Sequence, residues 1–156
     1  MQLVLFEPEI PPNTGNVARL CAATTTRLHL IEPLGFSLDD RYLKRAGLDY
    51  WPHVQYSVWP DFAAFCAGAG QGVRLVASSS RRGEAAHSFA FQPDDAIILG
   101  PETRGLPDFV LEQAAACVRI PIWGQVRSLN LSTAAGILLY QAMAVSGILD
   151  RHSRAL

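Results

Sequence analysis

Short apolar runs alternate with helix-like segments along the chain, and this alternation restricts the fold more than any other feature. Each run is long enough for a strand and too short for a helix. Strands joined through helices run in the same direction, so the pattern predicts an α/β domain with a mostly parallel sheet flanked by helices. The predicted strands are 2–6, 27–33, 53–58, 73–79, 95–100 and 117–122, with 53–58 at an edge. The predicted helices are 17–26, 38–48, 59–70, 106–116 and 130–149.

The size and charge of the chain restrict its class. We expect residues 1–156 to form one domain, because 156 residues can bury a core of their own. The formal net charge of −1 gives no overall positive field, so a nucleic-acid site requires a local basic cluster. Only 17% of the residues are charged, which favours a surface partly covered by a second copy of the chain.

The cysteines and the hydropathy pattern indicate the compartment. Cys21, Cys66 and Cys117 are far apart, which argues against a disulfide framework and against a structural zinc site. No apolar run approaches about 20 residues, and the N-terminus lacks a leader pattern, so no membrane association is expected. A reducing, cytoplasmic compartment fits best.

The common nucleotide and hydrolase motifs are absent. The first strand–helix junction, EPEIPPNTGN, holds a single glycine and no G-x-G-x-x-G pattern. The sequence GAGQG at 68–72 follows a helix rather than a strand, and is interpreted as a helix stop. There is no P-loop, nucleophile elbow or H-E-x-x-H motif. The four histidines are scattered, so no metal site is expected.

Three polar loops beside predicted strands carry the candidate chemistry, since ligands of open α/β sheets bind at the carboxyl ends of the strands. The first, NTGNVAR, contains Asn13 and Arg19, and Asn13 as a helix N-cap is the structural alternative. The second follows strand 95–100. There, Gly100 allows close backbone approach to a ligand and Glu102 stands at the strand end. The alternative for this loop is a tight turn with a surface ion pair between Glu102 and Arg104.

The third loop precedes the long closing helix. It contains Arg127, Ser128 and Asn130, and either Ser128 or Asn130 is expected to cap the helix. The same helix N-terminus offers free N–H groups to a carboxylate or a phosphate. The two uses are compatible.

The three loops together resemble the three motifs of the SPOUT methyltransferases. The matching segments are EPEIPPNTGNVARLCAAT, ILGPETRGLP and IPIWGQVRSLNLSTAAGILLY, and RLHLIEPLGF and KRAGLDY extend the similarity over almost the whole chain. Within this family the chain is most similar to small bacterial tRNA 2′-O-methyltransferases that act on the wobble nucleotide, cytidine or modified uridine 34. The resemblance implies S-adenosylmethionine as cofactor, a homodimer with the active site near its interface, and a deep C-terminal trefoil knot. Knots are nearly absent from proteins, so the strand pattern alone would not predict one.

The resemblance also implies two sets of site residues. The implied cofactor contacts, several of them through the backbone, are Ser78, Gly100, Ile120 and Ser128. The residues implied for catalysis and substrate positioning are Arg19, Asn13, Glu102, Arg127 and Asn130. Ser78 departs from the family, which often carries an apolar residue there, so a backbone contact is expected. In related enzymes the arginine matching Arg19 is assigned to activate the ribose hydroxyl. A guanidinium group stays protonated, so we interpret Arg19 as holding the adjacent phosphate and lowering the pKa of the hydroxyl.

The RNA contacts are less specific in the sequence. Larger relatives carry an added RNA-binding domain, so here the anticodon stem-loop of the tRNA is expected to lie against the dimer of catalytic domains. The candidate phosphate contacts are Arg41, Lys44, Arg45, Arg81 and Arg82, and a solvated helix face is the alternative for the first three. Other possible functions are 2′-O-methylation of another tRNA or rRNA nucleotide, a cofactor- and RNA-binding module without catalysis, and a monomeric protein that binds a small nucleotide.

Overall fold

A computed structural model describes residues 1–38 and 50–153, which form a seven-stranded sheet with helices on both faces. The strands are β1 Gln2–Phe6, β2 Arg27–Ile31, β3 Tyr56–Trp59, β4 Leu75–Ser78, β5 Glu84–Ala85, β6 Ala96–Leu99 and β7 Ala116–Arg119. The helices are α1 Pro11–Thr24, α2 Phe62–Ala67, α3 Asp108–Gln113, α4 Leu131–Val145 and α5 Ile148–Ser153, with a 3-10 turn at Trp51–His53. The predicted α/β architecture is confirmed.

The order of the strands creates a switch point in the sheet. The order is β3-β2-β1-β6-β4-β7-β5, and each of these neighbouring pairs is parallel. The chain therefore builds outward from β1 through β2 to β3 and then continues on the other side of β1. A crevice opens at the carboxyl ends of the strands where the direction of winding changes, and ligands bind there in doubly wound sheets. The edge position predicted for 53–58 is confirmed by β3.

The core lies on both faces of the sheet, because alternate residues of a strand point to opposite sides. In β1, Leu3 and Leu5 belong to the cluster that includes side chains of α1 and α4, whereas Val4 and Phe6 belong to the cluster with α2 and α3. All four residues of β6 are buried. A strand covered on both faces reads as a continuous apolar run, which is why β6 is recognisable in the sequence.

One histidine is part of this core. His29 in β2 is fully buried, its Nε2 lies 2.7 Å from Gln2 Oε1, and its Nδ1 accepts a hydrogen bond from Trp59 Nε1 at 3.1 Å. Burial lowers the pKa of the imidazole to about 4. The ring is therefore neutral near pH 7 and joins the three neighbouring strands β1, β2 and β3.

Several elements differ from the sequence prediction. Helix α1 begins at Pro11 rather than at residue 17, because prolines are well tolerated in the first turn of a helix. The predicted closing helix is two helices, since Gly147 adopts a positive φ of 73° between α4 and α5. The short strand β5 lies between the predicted strands 73–79 and 95–100, where the sequence analysis predicts no strand. The predicted helix 38–48 lies almost wholly outside the described residues. In the described ranges no helix is long and apolar enough to cross a membrane.

Candidate active site at the switch point

The three polar loops surround one cavity of about 840 Å³ at the carboxyl edge of the sheet. Its lining includes Ile10 and Asn13 from the start of α1, the loop after β4, the loop after β6, and the segment that joins β7 to α4. The volume lies within the usual range of small-molecule sites, roughly 300–1,000 Å³. Segments that are far apart in the sequence thus converge on a single space.

Glu102 connects two of these loops. Its Oε2 accepts a hydrogen bond from the Glu9 backbone N–H at 2.8 Å, and its Oε1 accepts from the Ile10 N–H at 3.2 Å and from Asn13 Nδ2 at 3.0 Å. Ile10 is the N-cap residue of α1 and its own side chain makes no cap. In a capping box, a glutamate of the helix itself accepts a hydrogen bond from the N-cap backbone N–H. Here Glu102 accepts that hydrogen bond, although it is 92 residues away along the chain.

Asn13 and Asn130 continue this network to the second helix of the site. Asn130 Nδ2 donates to Asn13 Oδ1 at 2.8 Å, and Asn130 Oδ1 accepts from the backbone N–H groups of Ser132 and Thr133 at 2.9 and 3.3 Å. The prediction that Asn130 or Ser128 caps the closing helix is confirmed for Asn130. The interpretation of Asn13 as an N-cap is wrong, because α1 starts two residues earlier and Asn13 lies in its first turn. Each amide group is thereby held in one orientation.

A second set of contacts runs in the opposite direction between the same two loops. The Glu9 carboxylate accepts hydrogen bonds from the Thr103 backbone N–H at 3.0 Å and from its hydroxyl at 2.8 Å, and Arg104 Nη1 lies 3.3 Å from Glu9 Oε1. Arg104 also forms an ion pair with Glu7. The alternative of a local ion pair between Glu102 and Arg104 is therefore wrong: both side chains reach across to the loop after β1.

Gly100 lets the loop after β6 fold back on itself. A Cβ atom at this position would lie 2.4 Å from the Leu106 backbone nitrogen and 2.5 Å from the Gly105 carbonyl carbon. Real Cβ atoms do not approach backbone so closely, so any side chain here would displace the wall of the cavity. Gly105 has a positive φ of 72°, which a glycine adopts without strain.

The other predicted cofactor and substrate-positioning residues in the cavity form no side-chain hydrogen bond or ion pair in the described part of the chain. Ser78 and Ile120 are half-buried at the ends of β4 and β7, and Arg127 and Ser128 are exposed on the segment before α4. Arg81 and Arg82 also line the cavity, and Arg82 Nη1 pairs with Asp108 Oδ1 at 3.0 Å. Arg41, Lys44 and Arg45 lie outside the described residues.

Arg19 is the one proposed catalytic residue that does not line this cavity. It is exposed on α1, with its guanidinium carbon 4.6 Å from the centroid of the Tyr50 ring. The Tyr50 hydroxyl donates to the Gly15 carbonyl oxygen at 2.7 Å, which fixes the ring against the helix. Sequence reasoning missed Tyr50, although it ends the segment KRAGLDY that carries part of the resemblance.

Sequence reasoning also missed Glu9, because its partners Thr103 and Arg104 are about 95 residues away along the chain. Across the described residues, no group of three or more His, Cys, Asp or Glu side chains is placed to hold a metal ion. The lining of the cavity combines amide, carboxylate, guanidinium and hydroxyl groups with apolar side chains such as Leu99 and Ile120.

Comparison with known proteins identifies the family. The model of the SpoU rRNA Methylase family matches residues 1–140. A tRNA (cytidine(34)-2′-O)-methyltransferase of Methylovorus glucosotrophus is 52% identical over 143 residues, which are 90% of this chain and 92% of that protein. A solved structure described as giving insights into the 2-OH methylation of C/U34 on tRNA is 48% identical, with a TM-score of 0.88 over 92% of this chain and 94% of that chain.

A more distant relative shares the architecture. The AdoMet-bound rRNA methyltransferase of Sinorhizobium meliloti superposes with a TM-score of 0.84 at 23% identity, over 92% of this chain and 55% of that chain. The family match spans the strands, the cavity and most of α4, and the relatives at about half identity match nearly end to end. By fold, by motif and by sequence, the chain belongs to the SpoU rRNA methylase family.

Proposed function

We propose that this protein transfers a methyl group from S-adenosylmethionine to the ribose 2′-hydroxyl of the wobble nucleotide of tRNA, cytidine or modified uridine 34. The observation that carries the proposal is the convergence of Asn13, Glu102 and Asn130 on one cavity. This occurs in a chain 52% identical to a tRNA (cytidine(34)-2′-O)-methyltransferase. Methylation of another tRNA or rRNA nucleotide is the second candidate, because the matching family model is named for rRNA methylases.

The cavity fits the proposed cofactor. About 840 Å³ accommodates a molecule of the size of S-adenosylmethionine, and the lining mixes backbone, hydroxyl and apolar groups, as an adenosyl group requires. The close return of the backbone at Gly100 leaves no room for a side chain there, so main-chain groups form this part of the wall. The residues proposed to hold the cofactor are Ser78, Gly100, Ile120 and Ser128. The cofactor supplies the methyl group that is transferred.

The residues proposed for substrate positioning divide into two sets. Asn13, Glu102 and Asn130 are already fixed by hydrogen bonds and present their polar groups without rearrangement, which lowers the entropic cost of reaching the reactive geometry. Arg127 is exposed and is suited to a phosphate contact. Arg19 remains protonated, so its proposed part is to hold the phosphate beside the ribose and lower the pKa of the 2′-hydroxyl, whose proton leaves to phosphate or solvent.

A homodimer accounts for the position of Arg19. The guanidinium group lies on the exposed side of α1 and not in the cavity of its own chain. Helix α4 exposes Ile137, Tyr140 and Val145 by 43%, 50% and 46%, an apolar surface suited to a second copy. We propose that the second copy packs on this side of the molecule and places Arg19 near a bound ribose.

Further proposals concern the path of the chain and its location. Helix α4 packs on α1 and β6, although it follows β7, which lies two strands away from β6. The segment from Ile120 to Asn130 must therefore pass back across the carboxyl edge of the sheet. This path supports a trefoil knot in the C-terminal half of a single domain of residues 1–156.

A cytoplasmic location follows from the proposed tRNA substrate.

The first test is methylation of bulk tRNA with labelled S-adenosylmethionine, followed by identification of the labelled nucleotide. We expect the label on the ribose of nucleotide 34. Label on another tRNA nucleotide, or incorporation only when rRNA is supplied in place of tRNA, would show that the proposed target is wrong and that the proposed methyl transfer is right. A protein that binds cofactor and RNA without any transfer would be a binding module, and a monomer without affinity for RNA would contradict the proposal entirely.

The second test is Arg19→Ala. We expect turnover on tRNA to fall by about 100-fold or more, as when one preorganised electrostatic group is removed from an active site. Binding of S-adenosylmethionine, measured by calorimetry, should be unchanged, because Arg19 does not line the cavity. Arg27→Ala is the matched control, since Arg27 is exposed at the start of β2, at the opposite edge of the sheet. Near-normal turnover of Arg19→Ala would exclude the proposed role.

A further inference from the structure

Trp123 is the most exposed large apolar side chain in the described part of the molecule. It is 94% accessible, whereas the next, Val126, is 62% accessible. An indole in this position contributes nothing to the core, although a buried aromatic side chain is among the most stabilising contributions to one. The indole of Trp123 is therefore available to contact a molecule outside the chain.

The position of Trp123 relates it to the cavity. It lies between β7 and α4, directly after Ile122 and four residues before Arg127, and both of these residues line the cavity. Residues 123–128 are all exposed. The indole itself is not part of the lining, but its segment of the chain carries lining residues on both sides of it. A ligand that is larger than the cavity can therefore reach this exposed segment.

The charges at the mouth indicate the chemistry of such a ligand. Arg81 and Arg127 line the cavity, and neither forms an ion pair with any residue in the described ranges, whereas Arg82 is paired with Asp108. Two uncompensated guanidinium groups make this rim positive in a chain with a net charge of −1. Guanidinium groups that contact phosphates, combined with an aromatic face on which bases stack, are the usual means of holding single-stranded nucleic acid.

We propose that Trp123 is a stacking platform for the base of an unpaired RNA nucleotide adjacent to the one whose ribose enters the cavity. The inference rests on the proposed function, because it requires a single-stranded RNA segment at the mouth. Phosphate contacts to Arg127 and Arg81 hold the backbone of that segment, and the indole covers one face of a base. Because every base has such a face, Trp123 contributes affinity with little sequence preference.

The test is the affinity of wild type, Trp123→Ala and Trp123→Phe for unmodified tRNA, measured by filter binding. Loss of one base–aromatic stack corresponds to about 5- to 150-fold weaker binding, and we expect a value in this range for Trp123→Ala. Trp123→Phe retains an aromatic face and should recover most of the affinity. Val126→Ala removes an exposed apolar side chain of the same segment without a ring, and is expected to bind like wild type.

Two further measurements separate stacking from other causes. The affinity for S-adenosylmethionine and the kcat at saturating tRNA should be unchanged in Trp123→Ala, with the loss confined to KM for tRNA. Unchanged tRNA affinity in Trp123→Ala would overturn the inference. A loss of affinity accompanied by dissociation of the oligomer, read by light scattering, would assign the indole to a contact between copies and would also overturn it.

Failure of the inference and failure of the proposed function give different results. If wild type methylates nucleotide 34 and Trp123→Ala binds tRNA equally well, only the stacking inference fails. If binding depends on Trp123 but the label appears on another nucleotide, only the proposed target fails.

Discussion

The two sides of the cavity are built in different ways. On one side, Glu102, Asn13 and Asn130 are linked by hydrogen bonds to each other and to the starts of two helices; we name this the bonded wall. On the other side, segments 79–82 and 121–129 are mostly exposed, and no hydrogen bond joins the two segments in the described part of the chain; we name this the open wall. Hydrogen bonds hold the bonded wall in one arrangement, whereas the exposed side chains of the open wall can adjust to a ligand. Under the proposed function, we expect the bonded wall to align the reacting groups and the open wall to provide affinity for RNA.

The largest effect on stability is expected for Glu102→Gln on the bonded wall. The substitution replaces one acceptor oxygen by an NH2 group that must face a backbone N–H donor of Glu9 or Ile10. Because hydrogen bonds to charged groups are among the stronger ones and Glu102 is half-buried, we expect a loss of about 1–2 kcal/mol in the free energy of unfolding. Urea denaturation measures it. Glu112→Gln, on the exposed side of α3, is the control and should change stability by less than about 0.5 kcal/mol.

If Glu102→Gln and the control Glu112→Gln unfold at the same urea concentration, the hydrogen bonds of Glu102 do not stabilise the bonded wall. A loss of stability in Glu102→Gln with a normal Glu112→Gln would show that they do.

An intermediate effect is expected at Asn130, where two variants separate the helix cap from the link to Asn13. Asn130→Asp keeps an acceptor for the Ser132 and Thr133 N–H groups but loses the Nδ2 donor to Asn13. We expect its stability to stay within about 1 kcal/mol of wild type, while methyl transfer falls at least about tenfold. Asn130→Ala loses the helix cap as well, and loss of the cap should lower the free energy of unfolding by about 1 kcal/mol.

Thermal unfolding and a methyl-incorporation assay on the same preparations distinguish these cases. If Asn130→Asp is fully active, the orientation of Asn13 has no part in the reaction, and the bonded wall is only structural.

The smallest effect on stability is expected for Arg127→Ala on the open wall. An exposed side chain without an ion pair to any described residue contributes little to folding, so the change should be within about 0.5 kcal/mol. Binding of tRNA should weaken, and the slope of log affinity against log salt should decrease in magnitude by about 0.7, the value for one phosphate contact to a single strand. Arg27→Ala serves as the control. An unchanged salt slope would show that Arg127 touches no phosphate.

The sequence predicts the local parts of this structure better than the distant ones. Strand β6 is predictable because a strand buried on both faces is a continuous apolar run, and the cap at Asn130 is predictable because its acceptors lie two and three residues away. The sequence predicts the start of α1 too late, because a proline pair fits a rigid loop as well as a first helical turn.

Contacts between residues that are far apart in the sequence limit how much of the site can be predicted from it. The spacing of Glu102 and Arg104 favours a local ion pair, but each side chain has better partners in the loop after β1, more than 90 residues away. No pattern in the sequence indicates that these two loops lie side by side. The family resemblance brings the three motifs together, but it does not say which group donates to which.

The reciprocal hydrogen bonds of Glu9 and Glu102 restrict insertions and deletions in the two loops that carry them. Each carboxylate accepts a hydrogen bond from a backbone N–H group of the opposite loop. An added or deleted residue in either loop would therefore move both carboxylates out of reach of their donors. These two loops can therefore vary only in concert. The two segments of the open wall share no such reciprocal contacts in the described part of the chain, so we expect insertions to be tolerated better there.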